Sequence, residues 1–358
     1  MKNKKFNIIF SPYNEKNPYQ KILIKALNRL NINVMTSEPK LSRLITKKVW
    51  RKYNILHLHW IHPFYISRNL LTSIIDLTIF IFELIFLKIM GMKIIWTSHN
   101  IQDHENNYPR LDKICRIFTS KIVDTIIVHS KTGKNIIIKS LGIKDPNKIY
   151  IIFHGNYIKY YKNEISKHEA RRILKMNKDS FIYLFFGIIR PYKGVIELIK
   201  HFKKLDDHKD KSLIIAGESN HTNLTKQIKK EIGTNKNIMF INKFIDEDKI
   251  QLYMNSANVV VLPYKNILTS GSAILAMSFG KPLIVPTKGD LPEILNKSFA
   301  FFYNSNKKGG LFRTMNIAFK NRSKISKMGK SAYNNAKKLN WDGAAKMTFE
   351  VYKNLLDF

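Results

Sequence analysis

Short, continuously apolar runs alternate with longer segments of helical period from one end of the chain to the other. A run that is apolar without alternation is typical of a strand buried on both faces, as in a parallel sheet covered by crossover helices. The pattern therefore predicts an α/β fold built on parallel sheets. The runs are FNIIF (6–10), ILHLHW (55–60), KIIWTSH (93–99), TIIVHS (125–130), KIYIIFH (148–154), FIYLFFG (181–187), SLIIAG (212–217), NIMFI (237–241), NVVVLP (258–263) and PLIVP (282–286).

The alternation pauses once, over a polar, aromatic and charged stretch at 156–174, and then restarts. A chain of 358 residues is long for a single core and suits two domains. We therefore predict two Rossmann-like domains that face a cleft, at 1–155 and 156–338. Ligands of open parallel sheets bind at the carboxyl ends of the strands, so functional residues are expected directly after each strand, in that cleft.

The composition restricts the class of protein and of partner. One cysteine, Cys115, rules out a disulfide framework and a cysteine-based zinc site, which agrees with a reducing compartment. The apolar run near the N-terminus is too short for a signal peptide and is predicted to be the first strand.

The charge is strongly unbalanced: 61 lysines and arginines face 26 acidic residues, for a net charge of +35. Such an excess favours attraction to an anionic membrane face or to nucleic acid, unless it is compositional drift with lysines scattered over the surface. The basic residues are spread along the chain, and neither an aromatic RNP pattern nor a GXXG clamp occurs. Nucleic acid is therefore not the expected partner.

The segment NLLTSIIDLTIFIFELIFLKIMG (69–91) is predicted to be a long, almost entirely apolar helix. Its length approaches that of a membrane span, but Asp76 and Glu83 share one face, where charges are costly in lipid. Three interpretations stay open: a buried helix that covers the sheet, a helix that dips into the membrane interface, and a true span.

Titratable side chains crowd the segment that follows the strand at 93–97, namely His99, Asp103, His104 and Glu105. Several such groups at the carboxyl end of a strand suit acid–base catalysis. The alternative is a polar loop in which Asp103 caps the next helix.

His57 and His59 alternate in the strand at 55–60, so their side chains point to the same face. Two histidines at this spacing can bind a metal ion, but no carboxylate or cysteine lies nearby in the sequence. A packed and hydrogen-bonded histidine pair is the favoured interpretation.

Phosphate-binding features follow the strands of the second half. Gly187 permits a tight turn, after which Arg190 and Lys193 stand at the start of a helix, where N–H donors, dipole and full charges point one way. Backbone N–H groups at 270–272 can cradle a second phosphate, and Glu218 follows a neighbouring strand. Their shared location at strand ends predicts a nucleoside diphosphate site.

Several of these motifs together resemble a known family. RPYKG, the AGE turn, NKFIDEDKIQLYMNSANVVVLPY and TSGSAILAMSFGKPLIVPTKGDLPEIL are similar to the nucleotide-sugar domain of GT-B glycosyltransferases. More narrowly, they resemble bacterial enzymes that build lipid-linked exopolysaccharide, capsule or lipopolysaccharide units. HLHW, WTSHN and FHGNYIKYY fit the same group more loosely. The resemblance implies that a final helix, at 339–358, returns to pack on the first domain.

The resemblance also implies a role for each matching position. Arg190 and Lys193 would bind the donor diphosphate and offset the leaving charge, so no metal or other cofactor is expected. The other implied donor-binding positions are Gly187, Glu218, Phe244, Ile245, Tyr264, Ser270, Gly271 and Ser272, of which Glu218, Phe244 and Ile245 would line the base pocket. The positions implied to face the sugar or the acceptor are Asn17, Tyr19, His154 and Asn156.

The sequence departs from the family pattern at one pair of positions. Retaining members carry a Glu-x7-Glu pair, in which the first glutamate faces the donor sugar; aligned on LAMSFGKP, the pair is Ile267 and Leu275 here. The surrounding phosphate ligands are intact, so we predict an inverting enzyme whose general base comes from the first domain. The candidates for that base are Asp103 or Glu105, with His99 and His104 as competitors. The alternative is a retaining enzyme whose glutamate role has moved elsewhere.

The resemblance thus implies a metal-independent transferase that moves a hexose from a nucleotide sugar, GDP-mannose or a UDP-hexose, to a lipid-linked saccharide. Its expected location is the cytoplasm, peripheral on the inner face of the plasma membrane, held there by the basic surface and the helix at 69–91. A nucleic-acid-binding protein that reuses this fold and a catalytically silent partner subunit are the alternatives.

Overall fold

Two six-stranded sheets, parallel throughout, organise the chain. The computed structural model describes residues 6–100, 108–205 and 210–356. The N-terminal unit comprises Met1–Gly155 and Asn340–Phe358, and the C-terminal unit comprises Asn156–Leu339. One sheet belongs to each unit, which confirms the predicted α/β class with two Rossmann-like halves.

The N-terminal sheet has the strand order β2-β1-β3-β4-β5-β6. Its central strands are almost wholly buried, whereas β2 and β6 at the edges are partly exposed. The strands are β1 (Asn7–Ser11), β2 (Asn33–Thr36), β3 (Ile55–Leu58), β4 (Lys93–Thr97), β5 (Thr125–Val128) and β6 (Ile149–Ile151). The helices among them are α1 (Pro18–Asn28), α2 (Ser42–Thr46), α3 (Leu70–Ile89), α4 (Pro109–Ile122) and α5 (Lys131–Leu141).

Several of these helices have an N-cap side chain that accepts a hydrogen bond from the first turn. Asn17 accepts from the backbone of Tyr19 at the start of α1, and Asn69 forms a capping box with Thr72 at the start of α3. Such caps satisfy N–H groups that have no intrahelical acceptor. The α5 helix ends at Gly142 with φ of 63°, the left-handed conformation that glycine adopts without strain.

The α3 helix buries one narrow face and exposes most of the rest, with five of its twenty residues buried. Leu77, Phe80, Leu84 and Leu87 pack into the core of the N-terminal unit, while Phe82 on the opposite face is 66% exposed. The helix is long and apolar enough to cross a membrane, yet one face belongs to a protein core. Because both faces of α3 are apolar, its composition could not distinguish a helix that covers the sheet from one that contacts a membrane.

The C-terminal sheet has the strand order β12-β11-β10-β7-β8-β9, with both edge strands partly exposed. The strands are β7 (Phe181–Phe186), β8 (Lys211–Ala216), β9 (Ile238–Ile241), β10 (Val259–Val261), β11 (Leu283–Pro286) and β12 (Ala300–Tyr303). The helices are α6 (Lys167–Ile173), α7 (Val195–Phe202), α8 (Thr222–Ile232), α9 (Ile250–Ser256), α10 (Gly271–Ser278), α11 (Leu291–Ile294), α12 (Gly310–Lys320) and α13 (Ile325–Lys338).

The last helix, α14 (Trp341–Leu355), belongs to the N-terminal unit, where it packs against α1. A Cβ atom at Gly155 would come within 2.3 Å of the Trp341 ring, so only glycine allows the indole to lie there. The hydroxyl of Tyr352 lies 2.7 Å from Nδ1 of buried His57. These contacts fix α14 against the end of the N-terminal sheet.

The strand orders locate the point in each sheet where the chain reverses its direction of winding. In the C-terminal sheet that point lies between β7 and β10, and in the N-terminal sheet it lies between β1 and β3. Ligands of doubly wound sheets bind outside the carboxyl ends of the strands at such a point. The residues after β7 and β10 are therefore the first candidates for a site in the C-terminal unit.

Candidate functional site

Two glycine turns bring the carboxyl ends of β7 and β8 into direct backbone contact. Gly187 has φ of 122° and Gly217 has φ of 151°, and a Cβ at Gly217 would lie 2.0 Å from the Gly187 carbonyl oxygen. A Cβ at Gly187 would lie 3.0 Å from Ser272 Oγ and 3.7 Å from Lys193 Nζ. The absence of a side chain at 187 thus leaves space between a hydroxyl and an ammonium group.

The turns after β7 and β10 are also held together. Gly194, with φ of 70°, ends a short 3-10 turn at Pro191–Lys193, and a Cβ there would lie 2.1 Å from the Pro263 carbonyl oxygen. The Lys265 N–H donates to the Tyr192 carbonyl at 2.8 Å. Residues 187–194 and 263–272 therefore form one continuous surface at the switch point of the sheet.

The amino end of α10 lies within this surface. Ser270 caps the helix by accepting from the Ala273 N–H at 3.1 Å, and its hydroxyl lies 3.3 Å from the buried Tyr264 hydroxyl. The first N–H groups of a helix have no intrahelical acceptor, and the helix dipole places positive charge there. The Tyr264–Ser270 pair orients this donor array.

The Lys193 ammonium lies near Ser272 at the same helix end, and Arg190 is close enough to act on its charge. Burial and then the positive charge of Arg190 lower the pKa of the Lys193 ammonium to about 7. The Lys193 ammonium lies 5.9 Å from the centre of the Tyr264 ring. A bound dianion would oppose both effects, because it would replace the lost solvation and offset the like charge. This arrangement suits a phosphate or diphosphate group.

The other positions that the resemblance assigned to the donor lie at the same sheet edge with unequal exposure. The Glu218 side chain is exposed, and its carbonyl accepts from the Ile189 N–H at 2.7 Å. Phe244 is 47% exposed, whereas Ile245 is 7% exposed and belongs to the core. Of this pair, Phe244 presents a ring that a nucleobase can stack on.

The carboxyl ends of the N-terminal strands carry a different set of side chains, here called the histidine cluster. It comprises the buried residues His57, His59, His99, His129 and His154. The Tyr19 ring lies at the centre, with centroid distances of 4.8 Å to His99, 5.0 Å to His154, 5.6 Å to His129 and 5.9 Å to His59. Trp60 stacks on His99 at 4.3 Å, and Trp341 lies 5.2 Å from Tyr19.

The cluster is electrically neutral at pH 7. Desolvation lowers the pKa of His129 to about 4 and those of His57 and His154 to about 3. The pKa values of His59 and His99 also lie well below the usual range, because of burial and then the neighbouring imidazoles. A charged imidazole is disfavoured by burial and by neighbouring imidazoles, and no carboxylate contributes to these shifts among the described residues.

Neutrality fixes which ring nitrogen carries the proton in three of these histidines, His129, His99 and His59. The Ile152 carbonyl lies 2.8 Å from His129 Nδ1, so that nitrogen donates and Nε2 accepts from His99 Nδ1 at 3.1 Å. His99 Nε2 then accepts from His59 Nδ1 at 3.3 Å. His59 Nε2 is left as a buried acceptor for which the described part of the chain supplies no hydrogen-bond partner. One backbone carbonyl thus sets three tautomers.

This geometry bears on two sequence hypotheses. Both ring nitrogens of His99 are bonded to other histidines, which leaves that residue poorly placed to take a proton from a substrate. Both ring nitrogens of His57 are bonded too, to the hydroxyls of Tyr352 and Thr97. Within the described ranges, no group of three or more histidine, cysteine, aspartate or glutamate side chains converges as a metal site.

Two further predicted positions form hydrogen bonds within the protein, and three lie outside the described residues. Asn17 caps α1. The Asn156 amide donates to the carbonyls of Ala336 and Leu339 at 2.9 Å. Asp103, His104 and Glu105 fall outside the described residues.

Arg116 forms a hydrogen bond with Asn100, which follows β4. The buried Arg116 guanidinium pairs with Asp112 at 2.8 Å and donates to the Asn100 carbonyl at 2.9 Å. Neither Arg116 nor His129 was identified from the sequence. His129 ends the run TIIVHS, and its position directly after a strand was the available signal.

Comparison with known proteins assigns the C-terminal unit to a family. Residues 166–337 match the family described as glycosyl transferases group 1. A GDP-mannose:glycolipid 4-beta-D-mannosyltransferase of Xanthomonas campestris pv. campestris is 25% identical over 238 residues, which cover 66% of this chain and 62% of the relative. The matched region is thus less than two thirds of that relative's length.

Solved structures share the fold over nearly the whole chain. Sucrose-phosphate synthase from Thermosynechococcus elongatus has a TM-score of 0.79 at 15% identity, with 99% of this chain and 100% of that chain covered. Anabaena HepE, solved with UDP and glucose, has a TM-score of 0.74 at 14% identity, covering 99% of this chain and 100% of its own. At this level of identity the likeness establishes the GT-B fold.

Proposed function

Since residues 166–337 are a group 1 glycosyltransferase domain of a GT-B fold chain, we propose that the protein transfers a hexose from a nucleotide sugar to a lipid-linked saccharide. The observation that carries the proposal is the convergence of Arg190, Lys193, Gly187 and the amino end of α10 at the switch point between β7 and β10. Each of these features stabilises a diphosphate, and together they favour a nucleoside diphosphate leaving group.

The reaction follows from that arrangement. An acceptor hydroxyl oxygen attacks the anomeric carbon of the donor, and the bond from that carbon to the diphosphate oxygen breaks. The nucleoside diphosphate leaves with the electron pair, and a general base takes the hydroxyl proton. Arg190, Lys193 and the α10 N–H groups stabilise the charge that develops on the leaving oxygen. These groups supply positive charge without a metal ion, so we propose that the reaction is metal-independent.

We propose direct displacement with inversion as the stereochemical course. Ile267 and Leu275 occupy the positions where the retaining pattern has glutamates, while the phosphate-binding turns are complete. With His99 bonded at both nitrogens, Asp103 and Glu105 are the proposed bases and His104 ranks behind them. GDP-mannose is the first donor to test, because a relative is named for that donor and for a β-linked product.

Turnover with a defined acceptor tests this function. The protein would be incubated with GDP-mannose or a UDP-hexose and a polyprenyl diphosphate-linked saccharide, in EDTA, and the anomeric configuration of the product read by NMR. We expect the opposite anomer to that of the donor. Whichever of Asp103→Asn and Glu105→Gln removes the base should lower kcat by roughly 100-fold or more. The exposed control Glu169→Gln should leave kcat unchanged. Retention of configuration, or full activity in both variants, would contradict the inverting mechanism or the base assignment.

We propose further that the N-terminal unit binds the surface of an anionic membrane. Its α3–α4 apolar surface consists of Leu70, Leu71, Ile74, Ile75, Ile79, Phe82, Ile85, Phe86 and Ile89 of α3 with Ile114 and Phe118 of α4, all exposed. The packed neighbour α4 also exposes Arg110, Lys113 and Lys121 beside these residues. Apolar side chains flanked by cations complement acyl chains beneath anionic headgroups. A cytoplasmic, peripheral location would bring the enzyme to a lipid-linked acceptor.

Vesicle sedimentation tests the membrane proposal. The protein should sediment with vesicles that contain phosphatidylglycerol more than with phosphatidylcholine vesicles, and salt should weaken but not abolish binding. The double variant Leu71→Gln, Phe82→Gln should lose most binding, and the control Ile317→Gln, 48% exposed on α12, should bind as wild type. Equal sedimentation of the double variant and the control would rule out this surface.

A further inference from the structure

A buried carboxyl group lies beside the phosphate-binding turn and was not identified from the sequence. Asp290 follows β11 and is 0% exposed. Its N–H donates to the Leu268 carbonyl at 3.0 Å. A Cβ at Gly289, which has φ of 55°, would lie 2.3 Å from the Ile267 carbonyl oxygen. The turns after β10 and β11 therefore touch through their backbones at the carboxyl edge of the sheet.

Neither carboxylate oxygen of Asp290 has a hydrogen-bond partner within the described part of the chain. The Thr269 side chain and the N–H of Asp290 itself are close enough to lower the pKa of the carboxyl, but neither forms a hydrogen bond of normal geometry with it. Burial, with a smaller effect of Glu293, raises the pKa of Asp290 to about 7. A buried acceptor without donors destabilises a fold, so its presence at a site calls for a ligand that supplies donors.

The chemistry of the proposed donor indicates which part of it fits. A diphosphate offers only acceptors and negative charge, which a carboxylate repels. Sugar hydroxyls are neutral donors. Thr269 precedes Ser270, the cap of the helix that would hold the diphosphate. If the diphosphate binds at that helix end, the pyranose attached to it would lie within reach of the turn that Asp290 contacts through Leu268.

We propose that Asp290 is the carboxylate of the sugar subsite, where it accepts hydrogen bonds from hydroxyl groups of the transferred hexose. This inference rests on the proposed transferase function. It supplies a carboxylate to a region in which residues 266–286 contain none. The carboxyl group is shielded in this structure, so the assignment requires the turn at 267–270 to move when the sugar enters.

Donor kinetics of Asp290→Asn and Asp290→Ala test the subsite, with Glu169→Gln, an exposed carboxylate on α6, as the control. Glu293 is unsuitable as a control, because its charge acts on Asp290. Loss of a hydrogen bond to a charged group should lower kcat/KM for the nucleotide sugar by roughly 10- to 100-fold. The inhibition constant of the free nucleoside diphosphate should stay within about two-fold of wild type, because that ligand has no hexose. Glu169→Gln should change neither value.

Deoxygenated donors locate the contact. A donor that lacks the contacted hydroxyl should react slowly with wild type but lose nothing further in Asp290→Asn, because the two changes remove the same hydrogen bond. Thermal unfolding supplies an independent readout. If Asp290 is held for a ligand, Asp290→Asn should raise the Tm of the free protein at pH 8 while it lowers donor turnover.

Two results would overturn the assignment. Equal weakening of the nucleotide sugar and the nucleoside diphosphate would make Asp290 a support of the turn. Unchanged kinetics in both Asp290 variants would mean that buried water alone serves the carboxyl group. If wild type bound neither the nucleoside diphosphate nor the nucleotide sugar, the transferase function itself would fail and the subsite with it.

Discussion

The carboxyl ends of the two sheets carry opposite kinds of chemistry. At the C-terminal sheet, Arg190 and Lys193 stand beside a helix end, between glycine turns that leave space. At the N-terminal sheet, imidazole rings fill the corresponding edge, and hydrogen bonds or aromatic contacts surround them. The first edge concentrates positive charge, and the second excludes it.

Under the proposed function, the two sheet edges would divide the transfer reaction between them. A diphosphate is best stabilised by positive charge that is already positioned. Arg190 and Lys193 would supply it at the carboxyl end of the C-terminal sheet, here called the cationic edge, and burial together with their proximity lowers the pKa of Lys193. A saccharide is neutral, and under the proposed function the aromatic and imidazole side chains at the other edge would suit it without attracting anions. The same strand geometry thus supports two binding chemistries through the residues that follow each strand.

Lowering the pH should give the largest effect, a loss of folding stability in the N-terminal unit. The unfolded chain protonates histidine near pH 6.5, whereas His129 has a pKa of about 4 in the fold, so stability present at pH 7 is lost as the pH falls below about 6.5. For His129 alone the loss at pH 5 is about 2 kcal/mol. All four tryptophans, Trp50, Trp60, Trp96 and Trp341, lie in the N-terminal unit. Their fluorescence therefore reports urea unfolding of that unit.

We expect the tryptophan-detected midpoint to fall between pH 7 and pH 5. His129→Asn should reduce this pH dependence, and the exposed control His168→Asn should retain it. An unchanged midpoint in wild type would show that the cluster is not held neutral by burial.

Glycine substitutions should have the next largest effect. Gly194→Ala should lower the free energy of unfolding by about 2–3 kcal/mol, because left-handed strain adds to a clash with the Pro263 carbonyl. Gly142→Ala, with φ of 63° and no atom within 4 Å, should cost only the strain, about 1 kcal/mol. Calorimetry and nucleotide titration would be run on both. Similar losses of nucleotide affinity in the two variants would break the link between the 194–263 contact and the site.

Proton uptake at Lys193 is the smallest expected effect. With a pKa of about 7 in the free protein, the ammonium is mostly deprotonated at pH 8, and a bound diphosphate should restore its proton. Nucleotide affinity should therefore fall as the pH rises above 7, and titration heats at pH 8 should depend on the ionisation enthalpy of the buffer. Lys193→Arg keeps the charge without titrating and should remove that dependence. Buffer-independent heats in wild type would contradict the assignment.

Local patterns predicted most of the fold but not the convergence of its side chains. All ten apolar runs are strands, whereas two edge strands were missed. The segment NVMT of β2 is interrupted by polar residues, while AFFY of β12 is continuously apolar and was not recognised. His57 and His99 were recognised separately, but only the order β3-β4-β5-β6 brings them to His129. Asp290 was missed for the same reason, since its place beside Leu268 depends on the pairing of neighbouring strands.

The residues of the cationic edge, by contrast, were proposed from the sequence, because each lies in a short motif directly after a strand or before a helix. Arg190 and Lys193 lie within seven residues of Gly187, and Ser270 directly precedes α10. The tautomers of the histidine cluster depend on a backbone carbonyl more than twenty residues away, at Ile152. No local pattern encodes that bond.

Calorimetric titration with GDP, UDP and a short oligonucleotide at physiological salt tests the central claim most directly. We predict that wild type binds one nucleoside diphosphate and that Lys193→Ala weakens that binding by roughly 10- to 100-fold, through loss of a charged hydrogen bond. Lys200→Ala, an exposed lysine on α7, should bind as wild type. Binding of the oligonucleotide with neither nucleotide engaged, or equal affinity in Lys193→Ala, would contradict a diphosphate site between β7 and β10.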